Sequence, residues 1–383
     1  MGENRLYVHV PTPGDHYSPA TGSAIMTIIY ELSREHQAAG GRTRIVVGRG
    51  TRHDYAVGEC VEVDFHGLPT KREKLLDAAL GALGFTRPFV TATYEPASEA
   101  IEVEFEGFVL LHNNPAPLRA FKEWRPRARF GLYANNALFR TYGRREVRRT
   151  LDNADFVICV SNFLAEDVAR RLGRGLEKIK VVHNGVDVQR FRPVALRTEL
   201  EELIVLFVGR VIPEKGADLL LRAAQKLLDS RRRFRVRIVG SSGFSATDPL
   251  SSYERRLREL AEPICEAVEF QPFIDRRQII EEYGRASIFC APSNWDDPCP
   301  LTVPEALACG LPTIAARRGG IPEIGGDAVL YFRPPNVDEL AERLAYLLDD
   351  DSARGEWGRR ARAQAELLSW RNQYRKLRAA IEG

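Results

Sequence analysis

The chain has 383 residues, 44% of them hydrophobic and 28% charged, with 55 Lys and Arg against 52 Asp and Glu. That length exceeds what one compact core usually holds and points to two domains. The composition excludes a disordered chain and a membrane-embedded bundle, and a net charge of +3 is too small to argue for a nucleic-acid partner, so none is expected.

The first residues, 1–11, are strand-like and lack a basic, apolar, small-residue secretion pattern, and no run approaches the roughly 18 apolar residues of a spanning helix. Met1 and Gly2 begin like a myristoylation site, but Leu6 stands where that motif needs Ser or Thr. A cytoplasmic protein is expected, at most peripheral at the inner face of a membrane. Cys60, Cys159, Cys265, Cys290, Cys299 and Cys309 form no C-x-x-C pair and no Cys/His ligand spacing, so neither disulfides nor zinc is expected. Cys159 and Cys290 sit in apolar runs as small core residues. The abundance of arginine suits a GC-rich bacterial genome.

In chain order, short β-branched runs at 7–10, 43–47, 61–65, 108–111, 130–133, 156–160 and 179–183 predict the strands of a first sheet. Runs at 203–208, 235–239, 268–270, 288–291, 313–315 and 329–332 predict a second. Continuous apolar strands separated by helical patterns imply parallel sheets covered on both faces, and the β-α alternation occurs twice, so two doubly wound domains follow. The turn-rich stretch from Asn184 to Pro193 places the boundary near Pro193: an N-terminal acceptor domain over 1–193, a C-terminal donor domain over 194–365, and a helix over 366–383 crossing back to the first.

Two features outside this alternation stand out. Between Arg119 and Arg149 ten Lys and Arg side chains meet only Glu123 and Glu146. Such a stretch is either a solvated helix face or a surface for an acidic acceptor or an anionic membrane. Residues 71–85 combine a basic start with an apolar repeat through Leu75, Leu76, Leu80 and Leu83, which reads either as core or as an interfacial helix.

Ligands of doubly wound sheets gather at the carboxyl ends of strands where the strand order reverses. Three strand-end loops carry chemistry. In Gly209-Arg210-Val211-Ile212-Pro213-Glu214-Lys215-Gly216, a guanidinium fork and an ammonium share one loop mouth, for which phosphate is the natural target. From Ser293 to Thr313 a strand end, a polar loop and a helix starting near Leu301 follow in order. The free N–H groups and positive dipole end of that helix suit a diphosphate, while Asp297 and Glu305, repelled by phosphate, suit hydroxyls of sugar or ribose. The third loop is His112-Asn113-Asn114-Pro115; a histidine there is either structural or a cleft residue.

The phrases Phe207-Val208-Gly209-Arg210, Pro213-Glu214-Lys215-Gly216, Asn184-Gly185-Val186-Asp187 and Pro304-Glu305-Ala306-Leu307-Ala308-Cys309-Gly310-Leu311-Pro312 resemble, in order, the retaining glycosyltransferases of family 4, in the branch of spore-coat and lipopolysaccharide glycosyltransferases. The resemblance implies a GT-B fold, two Rossmann-like α/β domains facing a deep cleft. It implies that Arg210 and Lys215 hold the donor diphosphate, with His112 beside the donor sugar. It places Asp297, Pro300, Leu301 and Thr302 at the sugar and distal phosphate, and Gly22, Ser23, Gly209, Phe273 and Glu305 around the nucleotide. Asp297 stands where the family's Glu-x7-Glu motif begins with glutamate, and Ser23 replaces the second of an amino-terminal glycine pair.

The function so implied is transfer of a sugar, with retention, from a nucleoside diphosphate sugar to a hydroxyl acceptor such as a cell-envelope glycan, a lipid-linked saccharide or a small molecule. UDP is favoured over GDP by the family's habits. No metal is expected, because Asp-x-Asp is absent from the strand-end loops; nor is any other cofactor besides the nucleotide-sugar co-substrate. A Ser-His-Asp hydrolase lacks its Gly-x-Ser-x-Gly elbow, and a nicotinamide dehydrogenase lacks its glycine fingerprint after the first strand. A non-catalytic sugar-nucleotide-binding protein and a sugar-nucleotide epimerase or a phosphorylase on the same fold remain as alternatives.

Overall fold

A computed structural model describes residues 6–173, 177–193, 202–230, 232–243 and 247–383; Met1 and Gly2 lie outside the described residues. The chain divides into two compact units, one of Met1–Ser18, Ser23–His183 and Trp370–Gly383, the other of Pro19–Gly22 and Asn184–Ser369. Among the described residues no helix is long and apolar enough to cross a membrane.

In the first unit the strands are β1 (Leu6–Val10), β2 (Arg42–Gly48), β3 (Glu59–Val63), β4 (Phe108–His112), β5 (Arg129–Ala134), β6 (Phe156–Cys159) and β7 (Ile179–Val181). The helices are α1 (Ala24–Ala38), α2 (Lys71–Leu83), α3 (Pro88–Thr93), α4 (Glu95–Glu99), α5 (Leu118–Trp124), α6 (Arg144–Asp152) and α7 (Asn162–Leu172). Among the described residues the sheet runs in the order β3-β2-β1-β4-β5-β6-β7 with every pairing parallel. Parallel strands covered on both faces have no polar side to show, and β4 and β6 are accordingly near-continuous buried apolar runs. The Cys159 thiol, enclosed in β6, is pushed up to about 12 by burial, so it behaves as a small core residue.

The second unit contains β8 (Ile204–Val208), β9 (Arg235–Val239), β10 (Val268–Gln271), β11 (Ile288–Ala291), β12 (Thr313–Ala316) and β13 (Val329–Phe332). Its helices are α8 (Ala217–Asp229), α9 (Ser252–Ala261), α10 (Ile279–Arg285), α11 (Thr302–Ala308), α12 (Ile321–Gly325), α13 (Val337–Asp349) and α14 (Asp351–Leu367). The order is β10-β9-β8-β11-β12-β13, again all parallel among the described strands. The thirteen predicted strands are all present, with ends that differ from the expected ones by at most two residues.

The units part between His183 and Asn184, upstream of the boundary expected at Pro193, because the intervening turn is packed into the second unit. Asn184 donates its side-chain amide to the Cys299 carbonyl at 2.6 Å, Val186 N–H donates to Leu368 O at 3.0 Å, and Arg362 donates to the carbonyls of Val188 and Phe191. The crossing helix also begins later than expected. The chain breaks after α14, and α15 (Trp370–Glu382) belongs to the first unit.

Trp370, Tyr374, Leu377 and Ile381 recur at helical spacing and are buried. They pack α15 against α1, where a ring nitrogen of His36 shares a 2.8 Å hydrogen bond with the Tyr374 hydroxyl. Tyr7 of β1 stacks on His36 and donates its hydroxyl to Glu382 at 2.7 Å. The last helix is thus fastened to the first strand and first helix of the sheet. Leu377→Ala is expected to cost about 2–5 kcal/mol by opening a cavity there, read as a fall in the denaturation midpoint, whereas exposed Arg375→Ala stays within about 0.5 kcal/mol of the parent.

Candidate active site

In the second unit the strand order reverses between β8 and β11, and the two loops singled out in the sequence leave the carboxyl ends of these two strands. Beyond Val208, the Arg210 guanidinium donates twice to the Ser242 carbonyl, both at 3.2 Å. Pro213–Lys215 form a tight 3-10 turn closed by Gly216 at φ +70. A Cβ on Gly216 would run into the Pro292 carbonyl, and Asn294 N–H donates to Glu214 O at 2.8 Å, so the close approach of the two loops requires glycine.

That approach sets the Lys215 ammonium against the Asp297 carboxylate, with Nζ 5.9 Å from the Trp295 ring centroid. Asp297 is buried, and its carbonyl accepts the Gly320 N–H at 2.8 Å. Gly319, at φ +56, lies so close that a Cβ there would collide with the backbone of Asp296 and Asp297. The shorter aspartate is therefore seated by its own backbone contacts.

Helix α11 starts at Thr302 with Leu301 at its cap position, and no side chain caps it, which leaves its first N–H groups without a side-chain acceptor. Pro300, Leu301 and Thr302 lie where expected. Glu305 is deeper, 2% exposed, not on the surface. It pairs with Arg276 and accepts the Tyr283 hydroxyl at 2.9 Å. Burial, then the Glu305 charge, holds the Tyr283 phenol well above its usual range, so it stays a donor. Phe273 follows β10, and its N–H donates to Ser241 Oγ at 3.0 Å beyond β9, which brings it to the same end of the sheet. Gly22 is exposed and its segment, Pro19–Gly22, clusters with this unit; Arg276 N–H donates to Pro19 O at 3.2 Å.

In the first unit the order reverses between β1 and β4, and His112 is the last residue of β4. It is fully enclosed. Its Nε2 shares a 2.9 Å hydrogen bond with Nδ1 of His9 on β1, its ring stacks on Tyr133, and its Nδ1 has no hydrogen-bond partner in the protein. Burial first, then the neighbouring histidine His36, drives His9 down to about 3; burial and His9 push His112 well below its usual value. Both rings are neutral near pH 7.

Asn113, next in sequence, takes the left-handed backbone at φ 56 and accepts the Asn135 N–H on its side-chain oxygen at 2.7 Å. The buried Asn135 Oδ1 is unpaired like His112 Nδ1. Unmatched buried polar atoms and a left-handed non-glycine backbone are both uncommon in a packed core, and here they fall together at one strand end. Ser23 caps α1, accepting the Met26 N–H at 3.3 Å.

Sequence reasoning missed His9, Arg276, Tyr283 and Asn135. His9 lies inside an apolar strand and Arg276 in a charged loop, and each gains meaning only from a partner far away in the chain. Among the described residues no group of three His, Cys, Asp or Glu side chains is gathered as a metal site.

Two doubly wound parallel sheets, each with such a loop cluster at its reversal point, define a GT-B glycosyltransferase fold. The family models agree: residues 26–190 match Glycosyltransferase Family 4, and residues 189–364 match Glycosyl transferases group 1. The chain belongs to glycosyltransferase family 4 and is a glycosyltransferase.

Spore coat protein SA of Bacillus subtilis is 29% identical over 293 residues, 71% of this chain and 77% of that protein. D-inositol 3-phosphate glycosyltransferase of Streptomyces bingchenggensis is 34% identical over 234 residues, 57% of this chain and 50% of that protein, so the match spans about half of that relative. Sucrose-phosphate synthase from Thermosynechococcus elongatus superposes with a TM-score of 0.75 at 19% identity, covering 99% of this chain and 98% of that one. Anabaena Alr3699/HepE, solved in complex with UDP-glucose, gives 0.72 at 16% identity, covering 98% and 99%; these two likenesses concern the fold.

Two expectations follow. Arg276→Ala leaves the buried Glu305 carboxylate without its cation and costs about 3 kcal/mol in denaturant unfolding, most of it recovered when Glu305→Leu is added. Because His9 and His112 titrate lower in the folded chain than the usual histidine value of about 6.5, the unfolded chain binds more protons below that pH. Stability is full above about 6.5 and falls as pH drops towards 3. The double variant His9→Gln/His112→Gln flattens this part of the stability–pH curve.

Proposed function

We propose that the protein transfers a sugar, with retention and without a metal ion, from a nucleoside diphosphate sugar, UDP-sugar first and GDP-sugar next, to an acceptor hydroxyl. The observation that carries this reading is the convergence of Arg210, Lys215, Asp297, the uncapped start of α11 and Glu305 at the carboxyl ends of β8 and β11.

Such a cluster suits a diphosphate leaving group. Arg210, Lys215 and the first N–H groups of α11, at Leu301 and Thr302, are cationic or dipolar donors fixed before the reaction, and they stabilise the charge that develops on the departing phosphate. They supply what a divalent cation supplies in other transferases. Asp297, held to Lys215, keeps the ammonium in place and takes a hydroxyl of the donor sugar, as does the backbone around Pro300. Glu305 takes the ribose, and Gly209, Phe273, Gly22 and Ser23 complete the nucleotide's surroundings.

No carboxylate or thiol is assigned as nucleophile. The acceptor oxygen attacks the anomeric carbon on the face the phosphate leaves, and the leaving phosphate oxygen accepts the acceptor's proton, so configuration is retained. His112 orients the sugar through Nδ1. The UDP-glucose complex of Alr3699/HepE supports the preference for uridine. The first unit is assigned to the acceptor, a glycan, a lipid-linked saccharide or a small molecule.

Calorimetric titration of the whole chain with UDP and GDP, in EDTA, tests the donor assignment. UDP is expected to bind more tightly, and Arg210→Ala to weaken it about tenfold or more, the worth of one charge-assisted phosphate contact. Binding of neither nucleotide by the parent protein would remove the donor site and leave the cluster as structural ion pairing. Binding without transfer to any acceptor panel would favour the non-catalytic alternative.

A further inference from the structure

Helix α2 is amphipathic in the wrong sense for a surface helix. Its inward face carries Asp77, 1% exposed, whose carboxylate accepts the N–H groups of Phe89 and Val90 at 3.1 and 2.9 Å, and Gly81, which packs on Glu146. Its outward face carries Leu75, Leu76 and Leu83, exposed to 72, 52 and 76%, and Phe85 just beyond it is 65% exposed. The apolar repeat read from the sequence as core or interface is therefore not core.

The orientation is fixed. Arg149 of α6 donates to the carbonyls of Gly81 and Gly84 at 3.1 and 2.7 Å, Asp77 is committed to the start of α3, and a capping box at Thr70 and Glu73 anchors the first turn. Turning the leucines inward would strip all of these contacts, and one face of the helix cannot be buried without exposing the other. An apolar strip held open in this way is the mark of an interaction surface.

Charge selects the occupant. Lys71, Arg72 and Lys74 are exposed at the head of α2, and Arg144, Arg145 and Arg148 are exposed on α6, the helix it packs on. Of the acids on α2 and α6, Asp77 is buried, Glu146 is buried against Arg87 and Glu73 is held in the capping box, which leaves Asp152, at the far end of α6, exposed against those six exposed cations. The exposed leucines thus have cations at the head of their own helix and on the helix beside it. A second copy of the chain, meeting this face symmetrically, would set cations against cations, whereas an anionic lipid surface accepts the leucines into its acyl boundary and the cations at its headgroups.

We propose that the outward face of α2, with the basic side chains of its first turn and of α6, docks the protein on an anionic lipid bilayer. This inference stands independently of the donor chemistry, since no residue of the nucleotide cluster belongs to it.

The test is co-sedimentation of the whole chain with phosphatidylcholine vesicles and with mixed phosphatidylcholine–phosphatidylglycerol vesicles. Binding is expected only to the mixed vesicles and is expected to weaken as salt rises. Both Leu75→Ser/Leu76→Ser/Leu83→Ser and Lys71→Gln/Arg72→Gln/Lys74→Gln should lower it about tenfold or more. Unchanged thermal unfolding of these variants separates loss of docking from loss of fold. As a direct readout, Leu76→Trp should shift its fluorescence to the blue on mixed vesicles alone.

Absence of binding to mixed vesicles, equal binding to both compositions, or a Leu76→Trp signal insensitive to vesicles would overturn the proposal. So would self-association in sedimentation that the leucine variant abolishes while vesicles leave the parent in solution, which would assign the face to a second copy.

Discussion

Two parallel strands cannot be joined by a tight turn; each needs a crossover, and the right-handed crossover puts helices on both faces of the sheet. The two strand-end loop clusters follow from that constraint. In each unit the chain lays strands outward from the centre in one direction and then in the other, so at one place two neighbouring strands send their following loops to opposite sides. That place lies between β1 and β4 in the first unit and between β8 and β11 in the second. Backbone is not closed over there, and polar groups collect because the sheet supplies only strand ends and helix beginnings.

The two reversal points are furnished differently. The second holds charge in close pairs: Lys215 against Asp297, Arg276 against Glu305, Arg210 against a carbonyl. Glycines at 216 and 319 let backbones approach closely around the Lys215–Asp297 pair. The first holds neutral polarity, a histidine pair whose rings are kept uncharged by burial. Cationic donors suit a leaving diphosphate, while a neutral ring suits a sugar hydroxyl.

Much of this was legible in the chain because the signals are local. Apolar runs of strand length separated by helical patterns announce a parallel sheet, and every one of the predicted strands is found in the structure. The Gly209-to-Gly216 and Ser293-to-Thr313 loops were conspicuous because turn residues and charges sit directly after a strand. The division near Pro193 was misplaced because a turn with a proline looks like a linker. Whether it is one depends on Cys299, Leu368 and Arg362, which bind it from more than a hundred residues away or from the chain's far end.

By itself, then, the sequence determined the element types, the parallel architecture, the family and the loops that carry charge, since propensity, hydrophobic period and motif spacing are properties of neighbouring residues. Only the tertiary structure decided which groups meet. His9 acquires a role from a strand pairing, Glu305 is buried by Arg276 and Tyr283, and α2 shows its leucines to solvent because Asp77 and Gly81 have partners on α3 and α6. A helical repeat specifies that one face differs from the other. Which face is covered depends on competing contacts contributed by distant parts of the chain, and those exist only once the fold has formed.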